Sequence, residues 1–168
     1  DIRQVLVRQE ANGGHAANGY ARISGKPAVC IATSGPGATN LITAIATAYA
    51  DSIPIVCITG QVNTDQIGSD VFQEADITGS AEPFVKHSYL LKNPEDTARV
   101  FKEAFYIAGT GRPGPVLIDI PMDVQKAVID FEYPEKCEIR SYKPTTKGNY
   151  VQVRRVMAAL EELSLIHI

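Results

Sequence analysis

The sequence predicts a doubly wound α/β fold, a mostly parallel sheet with helices on both faces, and two observations predict it. Three short runs, residues 28–32, 54–58 and 115–120, are apolar almost throughout. Strands buried on both faces read this way, because neither set of alternating side chains meets water. Between them lie stretches of helical length and composition, residues 38–50 and 94–108. Alternating buried strand and helix is the pattern of βαβ units, whose long crossovers make the strands parallel.

Taken in order, residues 2–7 read as a strand feeding a helix over about 11–23. The first buried run ends in the turn Thr33-Ser34-Gly35-Pro36-Gly37, which opens the Ala/Thr/Ile helix of 38–50. The second run leaves through Gly60-Gln61-Val62 into a long polar loop carrying Phe72-Gln73-Glu74. A shorter strand is expected within 84–91, then the helix of 94–108, and Arg112-Pro113-Gly114-Pro115 forms a rigid turn into the third run. Beyond Pro121 the sequence turns polar and proline-punctuated, which marks a linker. Val153, Val156, Met157, Leu160 and Leu163 then resume helical spacing. The expected organisation is a domain over 1–124 lacking its first residues, a linker over 125–150, and over 151–168 the start of a truncated central domain. The last five residues read as a cloning or sequencing scar.

With 45% hydrophobic and 21% charged residues, the 168-residue chain has the composition of a folded soluble domain, which excludes disordered and low-complexity classes. Sixteen Lys+Arg against 19 Asp+Glu give a net charge of -3, no footprint for nucleic acid or an acidic membrane. The three cysteines, Cys30, Cys57 and Cys137, have neither disulfide-framework nor zinc spacing, so a reducing, cytoplasmic compartment is expected. No run approaches the roughly 18 to 20 apolar residues of a membrane span.

Ligands of open α/β sheets bind outside the carboxyl ends of the strands, which singles out the residues just after each run. The Gly35-Pro36-Gly37 turn lacks the third glycine of a dinucleotide motif, and by itself it is either a ligand site or a tight βα turn. Glu10, at a strand-to-helix junction, reads either as a first-turn acid favoured by the helix dipole or as an acid/base group. The loop around Phe72 and Gln73 is either functional or plain surface.

Together, in one order, Glu10, Gly19-Tyr20-Ala21-Arg22, Thr33-Ser34-Gly35-Pro36-Gly37-Ala38-Thr39-Asn40, Asp51-Ser52-Ile53-Pro54, Thr59-Gly60-Gln61-Val62, Phe72-Gln73-Glu74-Ala75-Asp76 and Gly111-Arg112-Pro113-Gly114-Pro115-Val116 carry a resemblance. They resemble the N-terminal pyrimidine-binding domain of the thiamine diphosphate enzymes, and most closely that of the acetolactate (acetohydroxyacid) synthase catalytic subunits. The resemblance runs over about 2–124.

It implies that Glu10 hydrogen-bonds the aminopyrimidine ring nitrogen of thiamine diphosphate and promotes its imino tautomer. The implied reaction decarboxylates pyruvate and condenses the remainder with a second 2-ketoacid, in branched-chain amino-acid biosynthesis. Gln73 is implied at the reacting end beside Glu10, with Pro36, Asn40 and Phe72 as further cofactor contacts. Arg112 is implied to contact a largely structural FAD, and Lys86 and Met122 are implied in the substrate channel. Met122 stands where many members have lysine, and Asn63 where many have proline. The Mg²⁺ ligands of the family lie in a Gly-Asp-Gly motif of a separate C-terminal domain, and no such motif occurs here. Family sites form between two subunits, so a homodimer or larger homo-oligomer is implied, with a regulatory small subunit as a further partner, and the chain alone is expected to be inactive. The alternatives are another thiamine diphosphate-dependent 2-ketoacid decarboxylase or oxidase, or a non-catalytic nucleotide-binding module.

Overall fold

The computed structural model describes residues 2–163, so the expectation of a scar at 164–168 lies outside them. Helix α1 (Glu10–Ser24) is followed by β1 (Ala28–Ala32), α2 (Pro36–Asn40), α3 (Ile42–Ala50) and β2 (Ile55–Gln61). Then come α4 (Ile77–Ala81), β3 (His87–Leu90), α5 (Thr97–Gly109), β4 (Val116–Pro121), α6 (Met122–Lys126) and α7 (Tyr150–Glu162). All three strand pairs are parallel, in the order β1-β2-β4-β3, with Ala28 opposite Ile55 and Val56 opposite Val116. This is the α/β sheet that the buried apolar runs predict.

Alternation along the strands divides the core in two. Ala28, Cys30, Ile55, Cys57 and Leu117 pack with Ala17 and Ala21 of α1 and Ile45 and Ala48 of α3. From the other face Val56, Val116 and Ile118 pack with Val100, Ala104 and Ile107 of α5. Each fully buried Ile or Leu here contributes on the order of 2 kcal/mol from its removal from water. The first layer is thin because its helices are rich in alanine and glycine. A Cβ on Gly14 would stand 2.5 Å from that of Ala44, so α1 and α3 touch nearly backbone to backbone.

Local chemistry sets the ends of α1. The Gln9 side chain accepts from the Asn12 amide at 3.0 Å, and Gly25 closes the helix at φ 67, a left-handed position that glycine adopts without a Cβ penalty.

Two sequence expectations are corrected. Residues 2–7 form no strand: Ile2 and Leu6 are 92% and 98% exposed, and β1 pairs only with β2, so the segment has no ladder to stabilise an extended backbone. The helix foreseen over 38–50 begins at Pro36 and breaks at Leu41, which is buried where α2 hands over to α3. The polar stretch after Pro121 opens with α6, and Ile139 and Tyr142 pack back on the α5 layer. Tyr142 also donates its hydroxyl to the Thr110 carbonyl at 2.7 Å. The second helix, α7, forms as its periodicity predicts but buries none of its side chains.

Candidate functional site

The carboxyl ends of β1, β2 and β4 point to one edge, and most of the singled-out residues collect there. Glu10 opens α1 half-exposed, and its Oε2 accepts a hydrogen bond from Asn40 Nδ2 at 3.0 Å, thirty residues along the chain. That bond and a backbone amide hold the Glu10 carboxyl below the usual carboxylate range. Gly37 is needed beside it: a Cβ there would come within 2.6 Å of Thr33 Cγ2 and 3.4 Å of Glu10 Oε1. The Gly-Pro-Gly turn is therefore tight for a reason: bare glycine backbone packs on Thr33 next to the carboxylate.

Gly35 has φ 64 and ψ -123, and a Cβ on it would lie 2.8 to 2.9 Å from the backbone of Gln73. The loop of 62–76 thus returns and seats Gln73, itself at φ 61, on the turn after β1. Phe72 stands beside it 88% exposed, a large aromatic surface with no partner among the described residues. Glu10, Asn40, Pro36 and Gln73 are in this way brought to one place by two close backbone approaches and one side-chain bond.

Sequence reasoning missed what holds the loop. The carboxylate of Glu74 accepts from the backbone amides of Gly68 and, at 3.2 Å, Val71, stapling the loop to itself. Beneath it, Asp119 of β4 is 1% exposed; Thr59 Oγ1 donates to its Oδ1 at 2.7 Å and Gln61 Nε2 to its Oδ2 at 3.0 Å. Burial pushes the Asp119 carboxyl up to about 6, with the Asp76 charge adding to the rise against the two donors. A signal was present, since an acid within the apolar run Ile118-Asp119-Ile120 must find donors if that run is buried.

Met122 follows β4 at the same edge, 46% exposed, and lines an open cavity of about 430 Å³ with Ile31, Ser34, Ile58, Gly60 and Gln125. This cavity lies toward the α5 face of the sheet, where Ile58 and Ile120 point.

The other two candidates are not brought to this edge. Lys86 precedes β3 at the amino end of the sheet, and its ammonium donates to the carbonyls of Ile107 and Thr110 and to Tyr142 Oη. Within this chain it closes the last turn of α5, where a cation complements the helix dipole. Arg112 lies before β4, also at the amino end, exposed, with Nε donating to Ser52 Oγ at 2.7 Å. Among the described residues, no group of three or more His, Cys, Asp and Glu side chains is placed to hold a metal ion, and no helix is long and apolar enough to cross a membrane.

The chain is similar to known proteins. Residues 1–80 match the family described as thiamine pyrophosphate enzyme, N-terminal TPP binding domain. The chain is 51% identical over 161 residues to the acetolactate synthase large subunit of Corynebacterium glutamicum, covering 96% of this chain and 26% of that protein. It is 52% identical over 164 residues to the acetolactate synthase of Arthrospira platensis, covering 96% and 28%. To the probable acetolactate synthase large subunit of Methanocaldococcus jannaschii it is 50% identical over 165 residues, again covering 96% and 28%. The chain spans about a quarter of the length of these relatives. Residues 1–80, just under half of the chain and including the glycine turn and the Glu10–Asn40 pair, are thus similar to the N-terminal TPP binding domain of the thiamine pyrophosphate enzymes.

Proposed function

We propose that this chain provides the pyrimidine-binding half of the active site of a thiamine diphosphate-dependent acetolactate synthase, a transferase that decarboxylates pyruvate and condenses the product with a second 2-ketoacid. The single observation that carries the reading is the placement of the Glu10 carboxylate beside Gly37, at the ligand edge of a parallel sheet. The names of its half-identical relatives favour the synthase over other decarboxylases and oxidases. The match to a TPP binding domain disfavours a bare nucleotide-binding module.

The residues gathered at this edge fit the pyrimidine end of the cofactor. Glu10 Oε1 stands beside the bare Gly37 backbone, while Asn40 fixes the other oxygen. The carboxyl group would hold a proton at the aminopyrimidine ring nitrogen and return it, a task for an acid placed within hydrogen-bond reach. Covering Glu10 from water would raise its proton affinity from its present low position toward that task. Pro36 and Phe72 offer apolar surface to either side, and Gln73 an amide toward the reacting end. Bound thiamine diphosphate supplies the electron sink for the decarboxylation.

The finer assignments belong to the same proposal. Mg²⁺ is assigned to ligands outside this chain, and FAD to a contact with the exposed Arg112 guanidinium. Met122 is assigned to the substrate channel. Lys86 could serve the channel only by giving up its three acceptors at α5. A homodimer or larger assembly, a regulatory small subunit, a cytoplasmic location, a place in branched-chain amino-acid biosynthesis and domain limits of 1–124, 125–150 and 151–168 complete the reading.

The test is product analysis with pyruvate, on the protein carrying this sequence at the length of its relatives. Acetolactate is expected, and Glu10→Gln should lower kcat by at least about 10²-fold, the scale of losing a positioned acid/base group. Acetaldehyde or acetate as the main product would favour the decarboxylase or oxidase reading. Near-parent turnover of Glu10→Gln would overturn the role given to Glu10.

A further inference from the structure

Gln61 is the last residue of β2, and each polar group of its amide is used. Nε2 donates to Asp119 Oδ2 at 3.0 Å and to the Ala75 carbonyl at 2.7 Å, while Oε1 accepts from the Val62 amide at 2.9 Å. The amide therefore ties the middle of the sheet to the far end of the loop of 62–76. Both Gln61 and Asp119 are buried, at 6% and 1% exposure, so neither bond competes freely with water. Two residues before Ala75, Gln73 rests on Gly35 with no room for a Cβ between them. The position of Gln73 is thus fixed from two sides, by the Gly35 contact and by the Gln61 bond to Ala75.

We propose that Gln61, oriented by Asp119, is the positioning residue that sets the Phe72–Gln73 loop against the Gly35 turn and so aims it at Glu10. The catalytic consequence rests on the function proposed above; the mechanical one does not. The amide acts as a two-headed donor, and no other neutral side chain of its length could donate to a carboxylate and a carbonyl at once while accepting from a backbone amide. Asp119 contributes an acceptor of fixed direction. Were that acceptor lost, the Gln61 amide could rotate and leave Ala75.

The inference is tested by hydrogen exchange and steady-state kinetics on the full-length protein, with Gln61→Met and the pair Asp119→Leu and Asp119→Asn. Methionine keeps length and removes both donors. Gln61→Met should raise exchange of the amides in 68–77 about tenfold or more while strands β2 and β4 stay protected. It should also lower kcat with pyruvate about tenfold or more, with a smaller change in KM, because the misplaced loop fails the reacting geometry more than it fails binding. Asp119→Leu should loosen the same amides, and Asp119→Asn, which can still accept from Gln61 through Oδ1, should restore their protection.

Unchanged loop exchange in Gln61→Met would overturn the inference. So would exchange that rises equally in β2, β4 and the loop, since a purely structural role loosens the whole sheet. Should the parent protein lack synthase activity while loop protection still depends on Gln61, the function proposed above fails and the positioning role stands.

Discussion

Asn40 Nδ2 donates to Glu10 Oε2 at 3.0 Å, joining the first residue of one helix to the last residue of another. The bond stabilises the charged form of the carboxylate, and it is the largest cause of the low proton affinity of Glu10.

Removing that donor has a directional consequence. Asn40→Ala should raise the pKa of Glu10 toward the ordinary carboxylate value, read as the midpoint of its side-chain carbonyl shift in an NMR titration. In the active protein the acidic limb of kcat/KM should move to higher pH in the same variant. A Glu10 midpoint unaltered by Asn40→Ala would show that the backbone amide, not Asn40, sets the charge.

Gly35→Ala tests the seat of the loop. The substitution puts a side chain at φ 64 and ψ -123, a positive-φ position that costs on the order of 1 to 3 kcal/mol for a residue other than glycine. Its methyl would also meet the Gln73 backbone at 2.8 to 2.9 Å, and backbone cannot swing aside as a flexible side chain can. Urea denaturation should show at least that loss, accompanied by faster exchange of the Gln73 amide. A stability within about 0.5 kcal/mol of the parent would show that the turn and loop are not in contact in solution.

Asp119 should make stability depend on pH in an unusual direction for an acid. Its folded-state pKa is raised from 3.8 to about 6, so between those values the folded protein holds more protons than the unfolded chain. Stability from this group is therefore greatest below pH 4 and declines as pH rises through about 6, by up to about 3 kcal/mol. Asp119→Asn removes the titration, and its stability relative to the parent should be higher at pH 7.5 than at pH 4. Urea unfolding of both proteins at the two pH values measures the difference, and an equal gap at both would show that Asp119 ionises as freely in the folded state as in the unfolded one.

Met122 offers a half-exposed, polarizable apolar surface to the cavity at the sheet edge. If anionic 2-ketoacids pass it, Met122→Lys should lower KM for pyruvate, and the gain should shrink as salt screens the added charge. Kinetics at two ionic strengths decide this. An equal or higher KM at both would place Met122 away from the substrate path.

Periodicity and local chemistry determined much of the protein without the fold. Continuous apolar runs such as Val116-Leu117-Ile118 can be satisfied only between two helical layers, which made the parallel sheet and its ligand edge legible. Gly35-Pro36-Gly37 and Glu10 were legible as candidates because they follow strands or open helices. Residues 2–7 misled because β-propensity needs a partner strand, and only the tertiary structure decides whether one stands alongside. Distance in sequence hid the rest. Lys86 and Tyr142 meet across 56 residues, Gln61 and Asp119 across 58, and Asn40 and Glu10 across 30. No local pattern marks such pairs, because they arise from the stacking of strands whose neighbours are set by the sheet order β1-β2-β4-β3, not by chain order. Residue types at strand ends thus determined which groups are available for chemistry, while the long-range packing decided which of them stand together.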